Sequence, residues 1–292
     1  MSNLPLVSVL TTSYNRAKYI GEAIESLLNS TYSNWELIIV DDGSKDNTVA
    51  IARSYESKDS RIKVYENEKN LGDYLNRNQA ASYAKGKYIK YLDADDKIYP
   101  YGLEILVTYM EKYPNVGYGL CSLQQAKAEM YPFEMSSKEA YYSHYLGEIP
   151  LFHKAPLSSI IKTECFRSVG GFSGKQHLGD FEMWHILSEK FPVLLMPHGV
   201  VWYREHDDQQ MNDNRTDPFV PFKYLLLSRE YLLRDICPLD TNQVKKSLKK
   251  VEYKIARSVL SAAKHHSFKK AKEMKNKCGF TYFQLLSMLK NG

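Results

Sequence analysis

The chain has 292 residues, of which 43% are apolar, and its formal net charge is +5. That length and composition suit one large α/β domain, or one domain with a helical appendage, and argue against a disordered chain. Four widely spaced cysteines without a C-x-x-C pair argue against a structural zinc site and a disulfide framework. No signal-peptide pattern is visible and no apolar run reaches the ~20 residues of a membrane span, so we expect a cytoplasmic protein.

Strand-type and helix-type segments alternate along the first 112 residues. The strand-type runs are apolar and rich in β-branched or aromatic residues, and they fall at Leu6–Thr12, Glu36–Val40, Ile62–Tyr65 and Tyr88–Leu92. Helical patterns follow at residues 17–30, Val49–Tyr55, from Asn70-Leu71-Gly72 to about Ala84, and Tyr101–Lys112. This order predicts an α/β fold in which a mostly parallel sheet is covered by helices on both faces.

Polar clusters follow three of these strands, at Ser13–Arg16, Asp41–Ser44 and Asp93–Asp96. Ligands of parallel sheets bind at the carboxyl ends of the strands, so the three clusters indicate one binding site. The carboxylates of Asp93–Asp96 would repel one another unless a cation or strong donors share them. Their oxygens suit Mg²⁺ or Mn²⁺, although an acidic surface loop would explain this cluster taken alone.

The alternation of strands and helices ends near Val116. Residues 121–160 are aromatic-rich and show no regular pattern, which predicts a long loop that forms a binding surface or a lid. Later in the chain, apolar residues recur at three- and four-residue steps from Val244 to Val259. That spacing predicts an amphipathic helix.

The C-terminal part of the chain is strongly basic. Residues 242–278 carry twelve Lys or Arg and two Glu, which leaves a net charge of −5 for the rest. Two interpretations stay open: a solvated helical bundle, or a face attracted to an anionic membrane surface. The acidic remainder of the chain argues against nucleic-acid binding.

Seven segments in this order resemble the family-2 glycosyltransferases of the GT-A fold. They are Val7–Arg16 (VSVLTTSYNR), Glu36–Thr48 (ELIIVDDGSKDNT), Asn70–Gly72, Gly86–Asp96 (GKYIKYLDADD), Val169–Phe172, Gly179–Trp184 (GDFEMW) and Tyr203–His206. The resemblance covers roughly residues 4–215. It implies a GT-A domain over residues 1–215, with a nucleotide-sugar half over about 1–115 and an acceptor half over about 116–215. A helical, basic extension over residues 216–292 would follow.

The resemblance also implies an activity. A family member of this kind moves a sugar from a nucleotide-sugar to an acceptor hydroxyl with inversion and with Mn²⁺ or Mg²⁺. A UDP-sugar is the expected donor, because it is the commonest in the family. A glycan or lipid-linked saccharide is the expected acceptor, in surface polysaccharide biosynthesis. Such an enzyme would be cytoplasmic and peripheral on the inner face of the membrane.

The resemblance assigns the donor-side residues. The nucleotide-binding residues that it implies are Thr11, Tyr14, Arg16, Asp41, Asp42, Asn70 and Asp93. Asp41 is favoured as the base-contacting carboxylate, and an Asx-type turn with Gly43 and Ser44 is the alternative interpretation of that pair. Asp95 and His206 are the implied metal ligands. Asp96 and Arg204 are expected beside the metal or the diphosphate.

The acceptor side follows from the requirement for a base. Inversion by direct displacement needs a group that takes the proton from the acceptor hydroxyl. By resemblance that group is Asp180, and the alternative is that Asp180 only caps a helix. Many members have Glu where this chain has Gly179, so Glu182 is the fallback base. Acceptor-side roles are also implied for Gly170, Gly171 and Trp184, and a lid for Asp207–Asp213.

Three other classes of protein fit the sequence less well than this family. A sugar-phosphate nucleotidyltransferase would need a Gly-rich, basic phosphate loop after the first strand, and Thr12–Asn15 is not one. A dehydrogenase would need G-x-G-x-x-G, which is absent from the sequence. A non-catalytic sugar-nucleotide-binding protein is favoured only by the glycine at 179.

Overall fold

The computed structural model describes residues 4–206 and 217–290. These residues divide into two compact units, which lie within Met1–Ala140 plus Leu151–Arg204 and within Tyr141–Pro150 plus Glu205–Gly292. The lid expected over Asp207–Asp213 and the expected domain boundary at residues 215 and 216 lie outside the described residues.

An eight-stranded sheet forms the centre of the first unit. Its strands are β1 (Val7–Ser13), β2 (Trp35–Asp41), β3 (Ile62–Glu66), β4 (Tyr88–Tyr91), β6 (Tyr118–Leu123), β7 (Phe133–Met135), β8 (Ser159–Lys162) and β9 (Val193–Pro197), while β5 (Lys97–Ile98) and β10 (Val201–Trp202) form a separate antiparallel pair. The spatial order is β3-β2-β1-β4-β8-β6-β9-β7. Strands β3, β2, β1 and β4 run parallel, β8 is antiparallel to β4 and β6, β9 is parallel to β6, and β7 is antiparallel to β9. The prediction of a mostly parallel sheet is confirmed.

Helices cover this sheet on both faces, as predicted. They are α1 (Ile20–Leu28), α2 (Thr48–Glu56), α3 (Asp73–Ser82), α4 (Gly102–Lys112), α6 (Thr163–Ser168) and α7 (Gly179–Lys190), with α5 (Ser137–Tyr145) between β7 and β8. Residues of α1, α2 and α4 share one core with Val9 and Leu37. Side chains alternate along a strand, so Leu10 and Ile38 face the other way. Helix α3 packs on β1 and β2, and Asn76 Nδ2 donates to the Val40 carbonyl at 3.0 Å.

The prediction of one long loop over residues 121–160 is wrong, because this stretch contains β6, β7, α5 and β8. The start of α5 has a signal that the periodicity did not show. Ser136 N donates to Glu139 Oε2 at 2.8 Å, and Glu139 N donates to Ser136 Oγ at 3.3 Å. This reciprocal pair is a capping box, and it satisfies backbone donors that the first helical turn leaves without partners.

The second unit is built from helices. They are α8 (Phe219–Leu232), α9 (Thr241–His265), α10 (Phe268–Cys278) and α11 (Tyr282–Lys290). Helix α9 begins at a capping box between Asp240 and Gln243, and it packs against the other three helices. Val251, Ile255 and Val259 of its predicted apolar stripe are buried, so this helix is confirmed. Within residues 4–206 and 217–290, no helix combines the length and the apolar character that crossing a membrane requires.

Candidate active site

The polar clusters that follow β1, β2 and β4 meet at one edge of the sheet. Ser13 Oγ donates to Asp41 Oδ2 at 2.9 Å, which joins the ends of β1 and β2. Arg16 Nε lies 3.0 Å from Asp95 Oδ2, which joins the loop after β1 to the loop after β4. The parallel register of β1 with β2 and β4 places these ends side by side.

Asp41 is held by its own loop. The carboxylate is buried and accepts hydrogen bonds from Gly43 N at 3.0 Å and from Ser44 N at 2.7 Å. Ser44 Oγ donates to its other oxygen at 2.6 Å, beside the bond from Ser13. These contacts form the Asx-type turn that was the alternative interpretation of Asp41.

Asp42 organises the loop that leads into α3. Its buried carboxylate accepts hydrogen bonds from Asn67 Nδ2 at 2.8 Å, Leu71 N at 2.8 Å and Gly72 N at 2.9 Å. Asn70 Nδ2 donates to the Asp42 carbonyl at 2.9 Å, and Asn70 is exposed. The predicted nucleotide-binding residues Asp42 and Asn70 therefore lie together.

Two predicted nucleotide-binding residues of β1 and its following loop differ sharply in exposure. Thr11 is buried, and its hydroxyl donates to the Leu92 carbonyl at 2.8 Å, so it bridges β1 to the end of β4. Tyr14 is 48% exposed. Of these two, the structure presents Tyr14 to solvent and uses Thr11 within the sheet.

Asp93 pairs with an arginine from α3. Arg77 Nη1 lies 2.7 Å from Asp93 Oδ1, and Arg77 Nε lies 2.9 Å from Asp73 Oδ1. Burial raises the pKa of the Asp93 carboxyl, and the Arg77 guanidinium opposes that rise. Arg77 itself is buried, so α3 contributes a fixed positive charge to the site.

Asp96 lies deeper than Asp95 and links the loop to the end of β10. It is buried, and its Oδ1 accepts a hydrogen bond from Arg204 N at 2.8 Å. Burial, together with the charge of Asp93, raises the pKa of the Asp96 carboxyl to about 8. Arg204 Nε donates to the Asp95 carbonyl at 2.8 Å, and its guanidinium reaches Glu22 at 2.9 Å. Arg204 thus lies against this loop, and its expected role beside the metal or the diphosphate stays a prediction.

The donor set at this edge has the chemistry that a divalent cation requires. Asp95 is 15% exposed and offers hard carboxylate oxygens beside Arg16. Among residues 4–206 and 217–290, no group of three or more His, Cys, Asp or Glu side chains could hold a metal ion by itself. A site of one or two carboxylates is what Mg²⁺ uses when substrate phosphates complete its coordination. The residues present fit a cation of that kind.

Asp180 occupies the first turn of α7. Its Oδ1 accepts hydrogen bonds from Phe181 N at 2.7 Å and from the Tyr74 hydroxyl at 3.3 Å. Burial raises the pKa of the Asp180 carboxyl to about 6, and these two hydrogen bonds oppose the rise. A carboxyl with a pKa near 6 is suited to general-base chemistry near neutral pH.

Glu182 is engaged with the loop before α7. It is buried, and it accepts hydrogen bonds from Lys175 Nζ at 2.7 Å and from the Ser173 hydroxyl. An ion pair that fixes a loop is the simpler explanation of this carboxylate. Asp180 has no such lysine partner in the part of the chain that the structure describes.

The remaining acceptor-side residues occupy different environments. Gly170 and Gly171 both have positive φ, and a Cβ on Gly171 would lie 2.5 Å from Asn78 Oδ1. Asn78 also exchanges two hydrogen bonds with the backbone of Phe172, at 2.7 and 2.9 Å. Trp184 is fully buried and donates from Nε1 to the Lys154 carbonyl at 2.6 Å. Its ring belongs to the core and is not presented to a ligand.

His206, the second predicted metal ligand, belongs to the second compact unit, whereas Asp95 belongs to the first. Two residues of the site were missed by the sequence analysis. Arg77 had a partial signal, because Asp73 four residues earlier predicts an ion pair on α3. Tyr74 had no signal, because its contact with Asp180 joins segments 106 residues apart.

Comparison with known sequences identifies one family. The sequence model of the family described as "Glycosyl transferase family 2" matches residues 8–170. The putative teichuronic acid biosynthesis glycosyltransferase TuaG of Bacillus subtilis is 47% identical over 93 residues, which cover 32% of this chain and 37% of that protein. The UDP-Glc:alpha-D-GlcNAc-diphosphoundecaprenol beta-1,3-glucosyltransferase WfgD of Escherichia coli is 43% identical over 107 residues, which cover 37% and 42%. The alignments thus span less than half the length of these relatives.

Solved structures share the fold. TarS of S. aureus in complex with UDP-GlcNAc superposes with a TM-score of 0.72 and 18% identity, covering 92% of this chain and 78% of that chain. The mannosyltransferase PcManGT of Pyrobaculum calidifontis in complex with GDP-Man and Mn²⁺ superposes with a TM-score of 0.64 and 18% identity, covering 99% and 86%. At these identities the likeness concerns the fold alone.

Proposed function

Because this chain belongs to glycosyltransferase family 2, we propose that it transfers a sugar from a nucleotide-sugar to a saccharide acceptor with inversion at the anomeric carbon. The observation that carries the proposal is the edge of the sheet where Arg16 meets Asp95 and Arg77 meets Asp93. Alternating cations and carboxylates there can take up a nucleoside diphosphate together with a divalent cation.

The donor end of the site is the loop after β4. Asp95 would hold Mn²⁺ or Mg²⁺ there, and the bound cation would neutralise negative charge that develops on the departing diphosphate. Arg16 and Arg204 both contact the Asp95 residue, by its side chain and its carbonyl. In this proposal their guanidinium groups would pair with phosphate oxygens once a bound donor separates Arg16 from Asp95.

The acceptor end of the site is the start of α7. Asp180 would take the proton from the acceptor hydroxyl as that oxygen attacks the anomeric carbon, which makes it a catalytic residue in this proposal. Burial raises the pKa of its carboxyl to about 6, so the ionised form that can accept a proton predominates at neutral pH. Glu182, held by Lys175, would keep the loop before α7 in place.

The names of two relatives support a choice of donor and acceptor. WfgD is named for UDP-Glc and for a diphosphoundecaprenol-linked acceptor, and TuaG for teichuronic acid biosynthesis. We therefore propose a UDP-sugar donor and a glycan or lipid-linked saccharide acceptor in surface polysaccharide biosynthesis.

The second unit supports a membrane partner. Residues 242–278 carry the excess of Lys and Arg. On α10 and α11, Phe268 and Phe283 are each 83% exposed, and Tyr282 and Leu286 are each more than half exposed. Exposed aromatic side chains beside lysines are typical of helices that lie on an anionic lipid surface. We propose that this unit brings a cytoplasmic enzyme to the inner face of the membrane.

A thermal-shift series tests the donor assignment. The full chain is heated with UDP, GDP or dTDP, each with and without Mn²⁺, because a ligand that binds only the folded state raises the midpoint by mass action. UDP with Mn²⁺ is expected to give the largest shift. The nucleotide that gives the largest shift then identifies the nucleotide-sugars to assay. Transfer of their sugar to lipid-linked saccharide acceptors is measured directly. The donor-site proposal fails when no nucleoside diphosphate shifts the midpoint.

A further inference from the structure

Tyr74 and Gly179 form a complementary pair beside the proposed base. A Cβ built on Gly179 would lie 2.5 Å from Cδ1 of the Tyr74 ring and 2.6 Å from Cγ. Only glycine at position 179 leaves room for the Tyr74 ring where the structure places it. The ring also packs against Phe172, with centroids 5.3 Å apart. Gly179 and Phe172 therefore fix where the Tyr74 hydroxyl points.

The hydroxyl points at one oxygen of the Asp180 carboxylate. Tyr74 donates to Oδ1 at 3.3 Å, and Phe181 N donates to the same oxygen at 2.7 Å. Within residues 4–206 and 217–290, Asp180 Oδ2 accepts no hydrogen bond. One carboxylate oxygen is thus anchored, while the other keeps its lone pairs for a proton.

Tyr74 can act only as a donor in this contact. Burial raises the pKa of the Tyr74 hydroxyl, and the charge of Asp180 raises it further, so the phenol stays protonated. Its first-turn position on α3 places it one helical turn before Arg77. The charged groups that face Asp180 from this helix are Asp73 and Arg77.

We propose that Tyr74 is a positioning residue for the base of the transfer reaction, and that Gly179 is required because it admits the Tyr74 ring. Tyr74 orients the Asp180 carboxylate through Oδ1 and leaves Oδ2 directed to the acceptor hydroxyl. This inference deepens the proposed function and rests on it for the role of Asp180.

The effect of this contact on the pKa of Asp180 can be measured without any substrate. A hydroxyl that donates to the ionised carboxylate stabilises the charged form, so its removal must raise the pKa of Asp180. The whole protein is labelled with ¹³Cγ-aspartate, and the Asp180 signal is assigned by its loss in Asp180→Asn. In Tyr74→Phe we expect the Asp180 titration to move up by about 0.5–1 pH unit. Tyr83→Phe, which removes a hydroxyl bonded to Gln79 on the same helix, is the matched control and should leave it unchanged.

The glycine is tested by the same titration. In Gly179→Ala the added methyl displaces the Tyr74 ring, so the Asp180 titration should rise as it does in Tyr74→Phe. In the double variant the pKa of Asp180 should rise no further than in either single variant, because both substitutions remove the same contact. An unchanged titration in Tyr74→Phe, or fully additive shifts in the double variant, overturns the proposal.

The kinetic readout separates this inference from the proposed function. The nucleotide-sugar donor for this assay is the one chosen by thermal shift. In Tyr74→Phe the apparent pKa of the acid limb of kcat/KM should rise by the same amount as the pKa of Asp180 in the NMR titration. A limb that stays in place while the titration moves shows that Asp180 is not the base, which overturns the positioning role. A wild-type protein that transfers no sugar contradicts the proposed function, and the titration still decides whether Tyr74 controls Asp180.

Discussion

Arg16 Nε lies 3.0 Å from Asp95 Oδ2, so the residue expected to bind the nucleotide is paired with the residue expected to bind the cation. Both side chains are partly exposed, at 26% and 15%. An ion pair at the surface contributes little to stability, so this pair is easily separated by a ligand that offers phosphate to Arg16 and a cation to Asp95.

Asp95→Asn should abolish the effect of Mn²⁺ on nucleotide binding. The amide keeps the shape of the side chain and removes the charge that a divalent cation needs. In thermal-shift measurements we expect the extra midpoint shift that Mn²⁺ adds to UDP to disappear. Asp59→Asn is a suitable control. Asp59 pairs with Arg61 just before β3, at the amino end of that strand, whereas the proposed metal site lies at the carboxyl ends of the strands. If Asp95→Asn retains the extra midpoint shift caused by Mn²⁺, Asp95 is not a metal ligand.

Asp180→Asn should lower kcat by about 10²–10⁴-fold, because general-base catalysis contributes about that much. Donor binding should survive, since Asp180 is expected to face the acceptor. Glu182→Gln is the comparison variant. Loss of the ion pair with Lys175 should lower the unfolding midpoint of the protein and leave kcat nearly unchanged. A collapse of kcat in Glu182→Gln, together with full turnover in Asp180→Asn, would make Glu182 the base.

The rate of transfer should fall in acid. Burial raises the pKa of the Asp180 carboxyl to about 6, and the base must be ionised to accept a proton. We therefore expect kcat/KM to be nearly constant above pH 7 and to fall about tenfold per pH unit below pH 5. Stopped assays of sugar transfer across this range measure the limb. A profile that is flat down to pH 5 would contradict ionisation of a buried base.

Lys90 should make stability depend on pH in a particular direction. It is fully buried in β4, and burial lowers the pKa of its ammonium to about 8, while Cys121, Asp93 and Asp96 oppose that change. Between pH 8 and the unfolded value of about 10.4, the unfolded chain binds more protons than the folded one. The stability of the wild type relative to Lys90→Met should therefore rise by up to about 3 kcal/mol across this window.

Urea unfolding at pH 7.5 and pH 10 measures the Lys90 effect. Lys63→Met, at an exposed position of β3, serves as the control and should show no such change relative to the wild type. A relative stability of Lys90→Met that is the same at both pH values would mean that Lys90 titrates as it does in the unfolded chain.

The second unit should bind anionic vesicles. We expect sedimentation of the full chain with vesicles that contain phosphatidylglycerol, and a loss of binding at 1 M salt, because salt screens the lysines. Replacing Phe268 and Phe283 by Ser should weaken binding at low salt, since their exposed rings would enter the interface. Met130→Ser, an equally exposed apolar residue of the first unit, is the control. Equal binding to neutral phosphatidylcholine vesicles would contradict attraction by charge.

Local sequence patterns were sufficient for most of the strand and helix order in residues 6–112. The apolar periods there predicted β1 to β4 and α1 to α4, because burial of a strand or helix face leaves its period in consecutive residues. The two-residue strand β5 is too short to show a period. The same logic placed Asp41 and Asp95 at one sheet edge, since parallel strands end together. It failed at α5, where the capping box of Ser136 and Glu139 was the signal.

What the sequence by itself determined was the fold class, the family resemblance and the edge of the sheet that carries the polar clusters. Tertiary structure alone decided how those residues are used. It placed Trp184 in the core, turned Asp41 into the anchor of its own loop, and brought Tyr74 to Asp180 across 106 residues. The reason is physical: a period or a motif reports on neighbours in the chain, whereas the space beside Gly179 is filled by whichever distant side chain the packed helices bring to it.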